Sequence, residues 1–134
     1  GAVGIAAATF NSQLHVVMTD VNARAVYLAK HNIERNRVNN AEARCGYLYE
    51  PVENLKFNCV LSNPPVSAGM ETVKTIIAQA PKVMANKATF QMVVRSKIGG
   101  KTLQPVFNET FGNSAVLARE SGYRVLIGEK LKTK

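Results

Sequence analysis

The chain has 134 residues, of which 46% are hydrophobic and 19% charged, and its net charge at pH 7 is +8. These values exclude a disordered segment and are typical of one globular domain with a real core. No apolar run is long enough for a membrane helix, and no signal-peptide pattern opens the chain. The excess of positive charge favours contact with a polyanion such as a nucleic acid.

The chain opens with Gly1 and Gly4 followed by small helix-forming residues. This pattern is typical of the second half of a glycine-rich loop that enters a helix. Tight packing of a helix on a strand explains the two glycines equally well. The strand that should precede such a loop is absent and the chain does not begin with methionine, so we expect a fragment of a longer protein that holds a single domain.

A strand over residues 14–18 ends at Thr19-Asp20, and a helix is predicted from residue 22 to about residue 36. Its apolar face is expected to consist of Ala25, Leu28, Ala29 and Ile33. Asp20 stands 19 residues after Gly1, the spacing expected of an acid that accepts hydrogen bonds from a ribose. Its other role would be to cap the following helix. The position of the glycines favours the ribose role.

Short strands are predicted over residues 43–46 and 57–61, with a loop over residues 47–51 between them. The predicted strands contain Cys45 and Cys59, which indicates two buried thiols in a reducing, cytoplasmic compartment rather than a disulfide. The two histidines stand alone, so we expect no metal site.

A helix is predicted over residues 70–84, where Pro81 should kink or shorten the last turn. Its apolar stripe is expected to be Val73, Ile76, Ile77, Ala80 and Met84.

A strand over residues 88–95 precedes a helix that Gly99-Gly100 opens and that ends near Phe111. Ser121-Gly122 is typical of a two-residue hairpin turn, here between a strand containing residues 116–119 and a last strand over residues 123–131. Alternation of strands and helices followed by a hairpin predicts an α/β fold, whose mostly parallel sheet ends in an antiparallel last strand.

The strand over residues 57–61 runs into Ser62-Asn63-Pro64-Pro65-Val66. Each proline fixes its own φ, and Asn63 is pushed into the extended region because a proline follows it. The Asn63 side-chain carbonyl and the Pro64 backbone carbonyl are therefore expected at nearly fixed positions. Two such acceptors suit an exocyclic amino group, which has two N–H donors to satisfy. Taken alone, these residues fit a proline-stiffened turn as well.

The glycine loop, Asp20 and Asn-Pro-Pro all fall at carboxyl ends of predicted strands, where open α/β sheets bind ligands. In this layout the chain resembles the class I S-adenosylmethionine-dependent methyltransferases, of a Rossmann-like fold, that act on planar amino nitrogens. More narrowly, it is similar to the small-domain methyltransferases related to the enzymes that make N2-methylguanosine in small-subunit ribosomal RNA. The residues that carry the resemblance are Asp20-Val21-Asn22-Ala23-Arg24-Ala25, Leu28-Ala29, Tyr49-Glu50, Ser62-Asn63-Pro64-Pro65, Ala68-Gly69, Phe111-Gly112-Asn113 and Gly122-Tyr123-Arg124-Val125-Leu126.

The resemblance implies that S-adenosylmethionine is the cofactor and that catalysis uses Asn63, Pro64, Pro65 and Val66. Relatives that act on adenine usually carry an aromatic ring where Val66 stands, so the smaller residue argues mildly against adenine. The family commonly has Asp where Tyr47 stands; a tyrosine can stack on the adenine of the cofactor or donate a hydrogen bond to it. The implied cofactor-binding residues are Gly1, Gly4, Asp20, Val21, Tyr47, Leu48 and Asn63.

Three basic residues, Arg95, Lys97 and Lys101, flank the glycine pair after the fifth strand of the family layout. Phosphate contact and a solvated basic loop explain them about equally well. The leading prediction is methyl transfer to guanine N2 of ribosomal RNA. Adenine N6 or a glutamine side chain of a protein is an alternative acceptor, and an RNA-binding module that kept the fold without the cofactor is the other alternative.

Overall fold

The computed structural model describes residues 15–20, 22–46, 48–64 and 69–131. The chain divides into two compact units between Val52 and Glu53. In the first unit, β1 and β2 pair in parallel, with Val16 opposite Ala41 and Asp20 opposite Cys45. The elements of this unit are β1 (Val16–Asp20), α1 (Ala23–Arg35), β2 (Ala41–Cys45) and a 3₁₀ turn (Glu50–Val52).

One face of α1 packs against β2 and forms the small core of the first unit. Val26 and Ala29 of the helix are buried together with Ala43 of the strand, and Met18 and Ile33 pack around them. Leu28, which we expected on this face, is 46% exposed. The helix carries apolar residues on more than one side, and the side that reaches β2 is the one with Val26.

In the second unit, four strands form one sheet in the order β3-β4-β6-β5. The pair β3 and β4 is parallel, and β6 is antiparallel to both of its neighbours. The predicted fold class, α/β with mostly parallel strands and an antiparallel last strand, is confirmed. The elements are β3 (Phe57–Ser62), α2 (Met70–Gln79), a 3₁₀ turn (Ala80–Val83), β4 (Met84–Arg95), α3 (Ser96–Phe111), β5 (Ala115–Glu120) and β6 (Tyr123–Glu129).

The core of the second unit is an aromatic cluster between α3 and the sheet. Phe90 of β4 lies 5.6 Å from Phe107 and 5.8 Å from Phe111, measured between ring centroids. Gly128 of β6 lets the helix approach closely, since a Cβ there would lie 2.5 Å from a ring carbon of Phe111. Alternate residues of β4, such as Ala88, Phe90 and Met92, are buried on this face.

Two predicted boundaries are wrong for identifiable reasons. Pro81 does shorten the helix, but the chain continues through a 3₁₀ turn and Met84 becomes the first residue of β4. Lys130 supports this junction, because its ammonium donates to the carbonyls of Pro81 and Met84 at 2.8 and 2.9 Å. The next helix, α3, begins at Ser96 rather than at the glycine pair, whose backbone continues the helix.

The prediction of buried thiols is also wrong. Cys45 and Cys59 are both exposed, and neither forms a disulfide. Within the described residues β3 pairs on one side only, with β4, which leaves its side chains more open than those of a central strand. The Cys59 thiol accepts a hydrogen bond from the Thr89 hydroxyl at 3.5 Å. Over the described ranges, no helix combines the length and apolar character needed to cross a membrane.

Candidate functional site

The carboxyl edge of the four-stranded sheet carries the predicted acceptors. Ser62 is the last residue of β3 and pairs with Met92, so Asn63 and Pro64 leave the sheet at the edge where β4 ends. The Asn63 side chain is exposed and has no hydrogen-bond partner among the described residues, and Pro64 is half-buried. Their role as acceptors for an amine stays a prediction. The last two predicted catalytic residues, Pro65 and Val66, lie outside the described ranges.

In the first unit, Asp20 is the last residue of β1, at the carboxyl edge of the two-stranded sheet. The following helix is capped by Asn22, whose side-chain oxygen accepts from the backbone N–H groups of Arg24 and Ala25 at 2.9 and 3.3 Å. The capping role considered for Asp20 is therefore filled by Asn22. The predicted ribose contact stays a prediction, and Gly1, Gly4 and Val21 fall outside the described residues.

The segment after β2 begins at the same edge as Asp20, because β1 and β2 are parallel. Leu48 adopts a left-handed conformation with φ of 51°, which for a branched apolar residue persists only when the surrounding structure holds it. The neighbouring Tyr49 is largely buried, and burial raises the pKa of its phenol well above the usual value. The predicted adenine contact, Tyr47, lies in the part of the chain that the structure does not describe.

Charged side chains hold this segment to β2. Arg44 donates from Nη1 to the carbonyl of Pro51 at 2.9 Å, which ties the strand to the far end of the turn. Its Nη2 and Nε atoms donate to the two carboxylate oxygens of Glu42 at 3.1 and 3.3 Å. His15 also contacts Glu42, at 3.1 Å. Hydrogen bonds from Arg44 and then His15 lower the pKa of the Glu42 carboxyl.

Basic side chains lie at the edge of the second unit where Asn63 leaves the sheet. Arg95 is the last residue of β4, and Lys97 lies in the first turn of α3, followed one turn later by Lys101; all three are exposed. The first turn of α3 contains no acidic residue. The partial positive charge at the N-terminus of α3 therefore adds to the positive potential of these cations. The structure brings this basic group to the same sheet edge as Asn63.

Sequence reasoning missed one residue at this edge. Tyr123 is the first residue of β6 and pairs with Arg95, whose guanidinium carbon lies 5.9 Å from the centre of the tyrosine ring. The ring is 43% exposed. The sequence offered one indication of this residue, an aromatic side chain directly after the predicted Ser121-Gly122 turn. That Arg95 lies opposite it follows only from the strand register.

Solved methyltransferases share this fold. One is a 16S rRNA N2 methyltransferase (RsmC) from T. thermophilus, in complex with AdoMet and guanosine. The TM-score is 0.77 at 22% sequence identity, and the alignment covers 87% of this chain and 31% of that chain. The likeness shows that this chain has the α/β fold of these solved methyltransferases.

The methyltransferase small domain family matches residues 1–127, and the chain belongs to this family. The predicted family is thereby confirmed. The chain is 26% identical over 132 residues to the uncharacterized protein YbxB of Bacillus subtilis, spanning 98% of this chain and 66% of that protein. It is 22% identical over 134 residues to the ribosomal RNA small subunit methyltransferase C of Aliivibrio fischeri, spanning 97% of this chain but only 38% of that protein.

Proposed function

We propose that this chain is the catalytic domain of a cytoplasmic, S-adenosylmethionine-dependent methyltransferase that methylates an exocyclic amino group, guanine N2 of small-subunit ribosomal RNA. The observation that carries the proposal is the exposed Asn63 amide beside Pro64 at the carboxyl end of β3. Membership of the methyltransferase small domain family supports the reaction class. The relatives named for small-subunit ribosomal RNA support the substrate.

The residues at the end of β1 and after β2 fit the cofactor. Asp20 ends its strand, while the cap of the following helix is supplied by Asn22, so the aspartate is suited to accept from ribose hydroxyls. We assign the remaining contacts to Gly1, Gly4, Val21, Tyr47 and Leu48, with Asn63 at the methyl end. When bound, S-adenosylmethionine supplies an electrophilic methyl group.

Asn63 and Pro64 would bind and orient the target amine. The Oδ1 atom of Asn63 and the carbonyl oxygen of Pro64 each accept a hydrogen bond from one of the two N–H groups of this amine. This draws the nitrogen lone pair out of the ring system and points it along the direction of methyl transfer. Positioning and electrostatics supply the rate enhancement, and no side chain is required as a general base. The nitrogen gains the methyl carbon and loses one proton to water, while the bond between that methyl group and the sulfonium would break and leave S-adenosylhomocysteine as the product.

The basic group at this edge supports RNA as the substrate. Arg95, Lys97 and Lys101 are exposed beside the proposed amine site, and the whole chain carries a net charge of +8. Such side chains position a phosphate backbone without reading sequence. The target guanine has to leave its stack to reach Asn63, which is least costly in a looped or single-stranded region.

The test measures transfer of labelled methyl groups from S-adenosylmethionine to small-subunit ribosomal RNA and to intact small subunits, followed by nucleoside analysis. Asn63→Ala should lower the rate by about 100-fold or more, as expected when a preorganised hydrogen-bonding group is lost at a reacting centre. Its melting temperature should not change, because the side chain is exposed. The control is Asn58→Ala, which removes an exposed asparagine from the same strand.

Product analysis separates the alternatives. Label on N6 of adenine, or on glutamine when protein substrates are offered, would replace guanine as the acceptor while keeping the role of Asn63. Full activity in Asn63→Ala would contradict the proposed chemistry. Binding of RNA without any binding of S-adenosylmethionine in a calorimetric titration would instead identify a non-catalytic RNA-binding module.

A further inference from the structure

Tyr123 and Arg95 form a pair at the carboxyl edge of the four-stranded sheet, and the proposed methyl transfer assigns no role to Tyr123. They lie directly opposite each other on β6 and β4, and the guanidinium sits 5.9 Å from the ring centre. Both side chains are exposed, Tyr123 by 43%. An aromatic ring that remains open to solvent beside a cation is the arrangement on which nucleic-acid bases stack.

Hydrogen bonds hold the backbone that carries this ring. Tyr123 follows the two-residue turn Ser121-Gly122, in which both residues are left-handed with φ of 49° and 81°. The turn is tied to the start of α3, because the backbone N–H of Ser96 donates to the carbonyl of Gly122 at 2.8 Å. The ring is therefore presented by the end of a hydrogen-bonded sheet. Such a surface loses little conformational entropy when a base stacks on it.

The position of the pair relative to Asn63 is set by the strand register. Ser62 pairs with Met92, and Val93 pairs with Val125, so Asn63 and Tyr123 are separated by two strand spacings sideways and two residues lengthwise. Standard sheet dimensions place their Cα atoms about 12 Å apart. At that separation, Tyr123 cannot stack on the base whose amine Asn63 holds, but it can stack on the base of a neighbouring nucleotide.

The charges around the ring also favour RNA. The cations at this edge are Arg95, opposite the ring, and Lys97 and Lys101 in the first two turns of α3; among the described residues one acid, Glu120, pairs with Tyr123 across the hairpin. A single carboxylate among several cations leaves the edge attractive to a phosphate backbone. The lysines of α3 and the tyrosine thus provide the two components of single-strand recognition: charge for the backbone and a ring for a base.

Resting on the proposed function, we propose that Tyr123, backed by Arg95, is a stacking platform for an unpaired nucleotide that flanks the methylated guanine. The platform holds the strand next to the target while Asn63 and Pro64 hold the amine. It recognises an unstacked base by its π face, so it selects looped or single-stranded RNA over a helix.

The experiment uses short single-stranded RNAs containing one guanine, with the fluorescent base 2-aminopurine placed before or after it. Binding to this chain should quench 2-aminopurine at one of the two positions. Tyr123→Phe keeps the ring and should retain both quenching and affinity. Tyr123→Leu keeps apolar bulk without the ring, and should lose the quenching and weaken binding about tenfold. Tyr27→Leu, at a ring that is 64% exposed on α1, is the matched control and should bind as the parent does.

Equal affinity and equal quenching in Tyr123→Leu, at an unchanged melting temperature, would overturn the platform. Loss of binding in Tyr123→Phe as well would overturn it too, because the hydroxyl rather than the ring would then be the contact. The assay needs no cofactor and no turnover. Absence of methyl transfer in the parent chain would therefore count against the proposed enzyme alone, while the binding data would still decide the role of Tyr123.

Discussion

Replacing Gly128 by alanine tests how α3 is held over the sheet. A Cβ at this position would lie 2.5 Å from Cδ2 of Phe111 and 3.2 Å from Cδ2 of Phe107. Carbon atoms pack best at about 3.5 to 4.0 Å, so the closer contact is short by about 1 Å. The rings cannot swing aside, because Phe107 and Phe90 are fully buried and enclose Phe111.

Overpacking of this kind costs about 1 to 3 kcal/mol. Replacing glycine by alanine returns roughly 0.4 to 1 kcal/mol by restricting the unfolded chain. At the middle of both ranges, the net loss in free energy of unfolding is about 1.3 kcal/mol, or roughly 5 °C in melting temperature for a chain of this length. Because α3 carries Lys97 and Lys101, a shift of this helix should also weaken RNA binding.

The assay is urea unfolding followed by circular dichroism, carried out on a double-mutant cycle with Phe111→Leu. Leucine removes the ring carbons that the new methyl group meets, so alanine should cost less in that background, with a coupling energy of about 1 kcal/mol. An alanine variant as stable as the parent would refute the close approach of helix and strand. If the changes in free energy of unfolding for the two substitutions were strictly additive, the destabilisation by alanine would not arise from contact with the Phe111 ring.

Two further predictions concern charge. Lys97→Glu combined with Lys101→Glu should weaken binding of single-stranded RNA and make the slope of log K against log salt shallower by at least about 1.4, since each phosphate contact contributes about 0.7. The control is the same change at Lys30 and Arg35, which are exposed on α1. An unchanged slope would exclude the two lysines from the RNA contact. Glu42 has a pKa lowered by Arg44 and His15, so its contribution to stability is complete above the unfolded pKa near 4.5 and is lost as the pH falls through the folded value. Glu42→Gln should therefore destabilise at pH 7 by no more than about 1 kcal/mol, because the pair is solvent-exposed, and the loss should shrink as the pH falls below 4.5 and through the lowered pKa. Thermal melts over a series of pH values check this, and a loss that is the same at every pH would contradict the ion pair.

Local patterns were sufficient to predict the order of the elements and the residues at the strand ends. Asn-Pro-Pro and Ser121-Gly122 constrain the backbone by their own chemistry, and the hairpin turn shows the left-handed φ values that this chemistry requires. Asp20 was assigned to the end of a strand because polarity changes there abruptly. These features depend on a few adjacent residues, so a single sequence contains the information.

Features that depend on a partner element were predicted poorly. Cys59 was expected to be buried because its strand is apolar, but β3 pairs on one side only among the described strands. Leu28 was placed on the buried face of α1, although Val26 and Ala29 are the residues that meet β2. Met84 continues a helical stripe in the sequence yet begins a strand, because a 3₁₀ turn after Gln79 shifts the phase.

The same distinction explains why Asn63 was predicted from the sequence as a site residue and Tyr123 was not. Asn63 derives its proposed role from the proline that follows it, and any sheet that ends there presents the amide in the same way. Tyr123 derives its role from standing opposite Arg95, which requires that β6 run antiparallel to β4 in one particular register. A shift of one residue would turn every side chain of β6 to the other face. The burial of Leu126 and the close approach of Gly128 to Phe111 of α3 prevent that shift, so the core packing that excludes a Cβ at residue 128 also fixes the exposed ring at residue 123.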